Sequence, residues 1–190
     1  MSETFQTVSL LKLLDIEGEE LLNRRLFSFS CPLNPDIEIF LKEKAIDFAR
    51  RRWSITYLVM NRERRIAGYF ALAHKNIVIQ NDAVLSSSDR RILRSFSQNR
   101  EAGPCSVSAF LLAQFGRNFA EDTYGIDGTT LMDTVMTVLT DIRDRIGGKI
   151  VYLDCEKSEK LRAFYERNRY KYFGERTTPD ASYLQMIRFF

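Results

Sequence analysis

The chain has 190 residues, of which 45% are hydrophobic and 28% charged. That length supports one sizeable core, and the composition excludes a disordered protein. The formal net charge of +3 is too small to argue by itself for nucleic acid, and no apolar run approaches the ~20 residues that cross a bilayer, so no membrane partner is expected.

The three cysteines, Cys31, Cys105 and Cys155, are odd in number and far apart. They fit reduced thiols in a cytoplasm rather than a disulfide framework. Residues 1–14 hold the apolar group Val8–Leu14 without the basic start or small-residue cleavage site of a signal peptide. His74 is the one histidine and no G-x-S-x-G elbow exists, which disfavours a Ser-His-Asp triad. No two Cys or His residues lie close in sequence, so no metal is expected.

Along the chain, Thr7–Leu11 reads as a first strand, and Asp15 as the cap of a helix reaching about Arg25. Asn34-Pro35-Asp36 is a strong helix start: an N-cap, a proline at the first helical position and an acid in the first turn. Ile37, Phe40, Leu41, Ala45, Phe48 and Ala49 then share a face, and Arg50-Arg51-Arg52 closes the helix with the sign its C-terminus favours. Ile55–Met60 and Ile66–Ala73 form an antiparallel hairpin around the charged turn Asn61–Arg65. Gly68, inside the second strand, marks a bulge or a close backbone approach.

Residues 75–104 read as an insertion, with a strand at Ile77–Ile79 and a helix at Asp89–Phe96. Ser106–Phe115 is the longest apolar strand. Gly128–Ile146 is a long helix whose broad apolar face (Leu131, Val135, Val138, Ile142 and Ile146, widened by Met132, Met136 and Leu139) suits packing on a sheet; Gly147-Gly148 stops it. Ile150–Leu153 is a buried strand. Ser158 then caps a short helix with Leu161, Phe164 and Tyr165 on one face. Tyr183–Phe189 is a last strand. The order is that of a mixed α/β chain with a parallel crossover from Ser106 to Leu153, and order alone leaves several folds open. The whole of residues 1–190 is expected to form one domain, with the insertion at about 75–104.

The segment Lys149–Arg167, KIVYLDCEKSEKLRAFYER, resembles the C-terminal half of GNAT acetyltransferases, in which a strand ending in polar residues leads to a helix with a Phe-Tyr pair. Phe29-x-Cys31, the amphipathic helix with Leu41 and Ala45, Thr56-Tyr57-Leu58-Val59 and Ile66-Ala67-Gly68-Tyr69-Phe70-Ala71-Leu72 are similar, in that order, to the branch of the family containing the tRNA-acetylating toxins. The resemblance covers most of residues 26–190. It implies a GNAT fold, a central mixed sheet flanked by helices, and N-acetyl transfer from acetyl-CoA, as cosubstrate, to a primary amine.

It also implies roles for particular residues. Tyr165 would protonate the departing thiolate; read without the family, Phe164 and Tyr165 serve equally as core aromatics. Phe115, Gly116 and Arg117 would end the fourth strand where it splays, with backbone groups pairing along the pantetheine arm. Gly125, Asp127, Gly128, Thr129 and Thr130 would bind the pyrophosphate where the long helix opens. Here the loop departs from the family pattern. Gly128 matches the last glycine, but Ile126 stands where the first should be, unless a one-residue shift lets Gly125 serve, and Thr123 stands in place of Gln or Arg. Glu121, Asp122 and Asp127 put negative charge beside a bound anion, with Arg117 to compensate. The alternative, that Asp127 is only an N-cap and Gly125 only a turn, is outweighed by the agreement of the glycine, the helix start and the downstream Tyr165.

No general base stands out among Asp154, Glu156 and His74. Residues 50–65 carry six arginines (Arg50, Arg51, Arg52, Arg62, Arg64 and Arg65) against Glu63, a balance of +5; Arg90, Arg91, Arg94 and Arg100 mark the insertion. These groups read either as an RNA-sized patch or as a solvated helix end and hairpin tip. The acceptor is left open among a small amine, a protein amine and an aminoacyl-tRNA. An amine substrate is the expected partner, with tRNA and a second copy of the chain open beside it and an antitoxin undecided, and a GNAT-fold binding module without catalysis is the alternative of another class.

Overall fold

The structure, a computed structural model, describes residues 5–97, 103–120 and 125–190. Strand β1 (Gln6–Ser9) is followed by α1 (Leu10–Glu17) and α2 (Glu19–Phe27). The expected helix capped by Asp15 is thus two helices, with Asp15 inside the first. Gly18 at φ +78° breaks them apart, a left-handed conformation that glycine adopts at low cost. Asn34 caps the next helix as expected, its carboxamide oxygen accepting from the Asp36 and Ile37 amides at 3.1 and 3.4 Å. This helix runs as α3 (Pro35–Ile39), a π-helical segment (Phe40–Lys44) and α4 (Ala45–Arg50).

Strands β2 (Ile55–Met60) and β3 (Ile66–Ile79) form the hairpin. Its turn is tied by the Asn61 amide to the Arg65 carbonyl at 3.0 Å and by the Arg65 amide to the Asn61 side chain at 2.9 Å. Ile77–Ile79 is the end of β3 rather than a strand of its own. Buried Ile77 and Ile79 alternate with exposed His74, Asn76, Val78 and Gln80, so period two carries through the polar stretch. Then come α5 (Ser87–Phe96), β4 (Cys105–Arg117), α6 (Gly128–Ile146), β5 (Ile150–Glu156), α7 (Glu159–Arg167), β6 (Lys171–Thr177) and β7 (Ser182–Phe189).

The seven strands form one sheet in the order β1-β2-β3-β4-β5-β7-β6. β4 and β5 pair in parallel through Phe110–Val151 and Leu111–Tyr152; β1–β2, β2–β3, β5–β7 and β6–β7 are antiparallel. The parallel crossover is therefore where the periodicities put it.

Two compact units share these elements: residues 1–73 with 112–140, and residues 74–111 with 141–190. In the first, Leu10, Leu22, Leu26, Phe29, Leu41, Leu58 and Tyr69 pack into one core. Tyr69 donates its hydroxyl to the Ile37 carbonyl at 2.6 Å and stands edge-on to Phe29, centroids 5.2 Å apart. In the second, Ile77, Ile79, Leu93, Val107, Tyr152, Phe173 and Ile187 form the core. Two polar anchors hold the sequence around α5 in this unit. Buried Asp89 accepts from Lys171 Nζ and from the Ser86 hydroxyl, both at 2.6 Å. The Arg90 guanidinium donates to the carbonyls of Asn81, Ala83 and Leu85, and the Val84 amide donates to the Phe173 carbonyl of β6 at 2.9 Å.

Candidate active site

The first unit holds the end of β4 and the start of α6. Gly116 is glycine by necessity: a Cβ there would stand 2.4 Å from Ile37 Cγ2. The close approach expected at Gly68 is the same contact region seen from β3, where a Cβ would lie 3.0 Å from the Gly116 carbonyl and 3.1 Å from Leu131. Phe115 and Arg117 are half-buried. The Arg117 guanidinium lies over the Phe119 ring, 4.9 Å from its centroid, and donates to the Ile126 carbonyl at 3.4 Å.

Gly125 turns at φ +25° and Ile126 is buried. Helix α6 opens at Gly128, the residue the loop pattern selects. Asp127 caps it: one carboxylate oxygen accepts from the Thr129 and Thr130 amides at 2.8 and 2.9 Å, the other from the Thr130 hydroxyl at 2.6 Å. The Thr130 hydroxyl and amide, with the Thr129 amide, hold the Asp127 carboxyl below its usual range. The helix end where an anion is expected thus already carries a carboxylate on its first amides. Thr123, Glu121 and Asp122 lie outside the described residues.

The second unit holds Tyr165. Helix α7 starts after Ser158, which has the extended backbone of an N-cap but no side-chain bond to the helix. Tyr165 is 7% exposed, with Tyr170 and Phe164 edge-on to its ring at centroid distances of 5.6 and 5.1 Å. Burial, then the nearby Cys155 and Tyr170, push its phenol well above the ordinary tyrosine value. Of the base candidates, Asp154 accepts from the Tyr152 hydroxyl and, at 2.9 Å, from Arg176 Nε. His74 is exposed and edge-on to Phe110. Glu156 is exposed at the end of β5. Among the described residues no group of three or more His, Cys, Asp or Glu side chains is placed to hold a metal ion, and no helix is long and apolar enough to cross a membrane.

No family model matches the sequence, and no curated protein matches it. Solved structures do match. AtaT complexed with acetyl-methionyl-tRNAfMet superposes with a TM-score of 0.64 at 14% identity, over 95% of this chain and 94% of that one. A tyrosine-to-phenylalanine mutant of KacT gives 0.65 at 13%, over 97% and 94%. AtaTR bound with AcCoA gives 0.61 at 16%, over 97% and 94%. The chain has the GNAT fold.

Within the GNAT fold the fold class expected from the sequence holds, mixed sheet and flanking helices included. One buried polar residue beside the site escaped the sequence reading. Asn118, 7% exposed, follows directly on Arg117. Its carboxamide oxygen accepts from the Ser30 and Ala120 amides at 3.0 and 2.9 Å, and its amide nitrogen donates to the Ile66 carbonyl at 2.7 Å. The arginine run is less free than its charge suggests. Arg50 pairs with Glu19 at 2.6 Å, Arg51 with Asp47 at 2.8 Å and Arg64 with Glu17 at 3.6 Å. Arg90 is spent on backbone carbonyls. Arg100 lies outside the described residues.

Proposed function

We propose that the chain transfers the acetyl group of acetyl-CoA to a primary amine, and that this amine belongs to an aminoacyl-tRNA. The observation that carries the proposal is the likeness, over 95% of the chain, to AtaT complexed with acetyl-methionyl-tRNAfMet, joined by AtaTR bound with AcCoA. The coarser reading, acetyl transfer to an amine, rests on the fold, on the strand-end glycine and helix start of the first unit and, separately, on the buried tyrosine of the second. The finer reading, tRNA, rests on the complex alone.

In the reaction the amine lone pair attacks the acetyl carbonyl carbon, the carbon–sulfur bond breaks, and the amine sheds a proton while the thiolate gains one. Tyr165 would supply the thiolate's proton; burial raises the phenol, so the transfer gains its driving force as the thiolate forms unsolvated beside it. The backbone of Phe115–Arg117 would pair with the pantetheine arm. Gly125 and Gly128 would let the chain approach the pyrophosphate and Arg117 would supply a cation, while the Thr129 and Thr130 amides would have to be shared with the Asp127 carboxylate they already bond. An α-amino group, with a reference pKa of ~7.7–8.0, is substantially neutral near pH 8, so solvent suffices to take its proton; a lysine amine near ~10.4 would need a dedicated base.

The test is calorimetric titration with acetyl-CoA, followed by incubation of the protein and labelled acetyl-CoA with charged and uncharged tRNA. Micromolar acetyl-CoA binding and label on the charged tRNA alone are expected. No acetyl-CoA binding overturns the whole reading. Binding with label on small amines or protein, and none on charged tRNA, overturns the acceptor only.

A further inference from the structure

We infer that Asn118 is a positioning residue for acetyl-CoA, a role that rests on the proposed reading: its carboxamide locks the exit of β4 and so fixes Arg117 against the loop that opens α6. Asn118 is built into three separate pieces of the first unit. Its amide donates to the Ala67 carbonyl at 2.8 Å and its side chain to the Ile66 carbonyl at 2.7 Å, both at the start of β3. Its carboxamide oxygen receives the Ser30 amide, from the segment between α2 and α3, and the Ala120 amide, two residues on. The next residue completes the clasp, the Phe119 amide donating to the Ser30 carbonyl at 2.8 Å.

These bonds demand a carboxamide. The site offers one carbonyl to be donated to and two amides to be accepted from. Aspartate has no donor for the Ile66 carbonyl, and alanine satisfies none of the three; a buried backbone group left without its partner is costly. What the clasp holds is the far end of Arg117's surroundings. The Arg117 guanidinium rests on the Phe119 ring, whose backbone the clasp fixes, and reaches the Ile126 carbonyl on the other side. On the preceding residue, Gly116, the backbone is wedged beside Ile37 and Gly68. Release of Asn118 therefore leaves Gly116 packed but frees the direction in which Arg117 points. That cation is the compensation available against Asp127 beside a pyrophosphate, so its placement governs cosubstrate affinity.

The experiment is a double-mutant cycle on the full chain, with acetyl-CoA affinity by calorimetry and thermal melting on the same preparations. Asn118→Ala and Arg117→Ala are each expected to weaken acetyl-CoA about 10-fold or more. The double variant is expected to bind no more weakly than Arg117→Ala alone, because Asn118 acts through Arg117. Leu26→Ala, a core truncation in the same unit, lowers the melting temperature and is expected to leave affinity within about 2-fold. Asn118→Ser serves if the alanine variant does not fold.

A variant at 118 that melts lower but binds acetyl-CoA like wild type overturns the inference, as does full additivity in the cycle. Wild type that fails to bind acetyl-CoA overturns the proposed function and this inference together; wild-type binding with an indifferent Asn118 variant overturns this inference alone.

Discussion

Tyr165 carries the sharpest single-residue expectation. Its ring packs against Tyr170 and Phe164 whatever the hydroxyl does, so Tyr165→Phe keeps the packing and removes the proton. Turnover should fall on the order of 10²-fold with acetyl-CoA affinity little changed, read by single-turnover acetylation beside a melting curve. A melting loss of about 1 kcal/mol with normal turnover would instead make the hydroxyl a core hydrogen-bond partner. Asp127 makes the opposite kind of prediction. Its carboxylate sits on the Thr129 and Thr130 amides, held charged by them and by the Thr130 hydroxyl. Asp127→Asn keeps an N-cap acceptor and removes the negative charge, so the helix should lose little stability. Acetyl-CoA should bind several-fold more tightly, about 3–10-fold, as like-charge repulsion at a helix N-terminus disappears. Unchanged or weaker binding by calorimetry would move the pyrophosphate away from this helix. At this scale the sequence was legible where a role is local: Gly128 at the start of α6 and Asn34 at the cap of α3 are fixed by neighbours one to three residues away. Asn118 was not legible. A polar residue after a strand looks like any loop residue, and its partners lie 52 and 88 residues distant along the chain.

Among the elements, α5 depends on one buried ion. Asp89 is 4% exposed, lies in the helix's first turn, and meets Lys171 at the start of β6. Burial pushes its carboxyl up, but the Lys171 ammonium and the Ser86 hydroxyl outweigh that, and the net shift is down. A carboxyl depressed in the folded state contributes stability that is complete above its unfolded pKa near ~3.9 and is lost as pH falls through the folded value. Lys171→Met should therefore cost about 1–3 kcal/mol at pH 7, and the gap to wild type should narrow in denaturant titrations as pH is taken progressively below the unfolded value of ~3.9. A gap of equal size across that range would assign the loss to Lys171's packing. β6 is also the element that sequence patterning missed outright. Its seven residues, KYFGERT, bury Phe173 alone, because the strand lies at the end of the sheet and most of its side chains face solvent. Such a strand has no apolar alternation to read. The split of the first helix escaped for a related reason: Gly18 interrupts a pattern of leucines that keeps its helical spacing on either side.

For the whole molecule, order and periodicity fixed more than motifs did. The crossover from β4 through α6 to β5 was readable from apolar runs and the Gly147-Gly148 stop, and the superposition on AtaT and KacT spans nearly the entire chain at identities of 13–14%. Chemistry at that distance is carried by few side chains, which is why the loop before α6 read poorly while the fold did not. Arg90 has a consequence for how copies of the chain behave together. Its guanidinium gathers the carbonyls of Asn81, Ala83 and Leu85, and that gathered segment sends the Val84 amide onto the Phe173 carbonyl of the terminal strand. An uncovered terminal strand offers its backbone groups to any other chain and seeds strand-by-strand growth. Lysine at position 90 keeps the charge but cannot span three carbonyls. Arg90→Lys should scatter light at temperatures below its melting midpoint, increasingly with protein concentration, where wild type stays clear. The arginine then acts as a guard on solubility: one side chain that keeps the sheet from recruiting its neighbours.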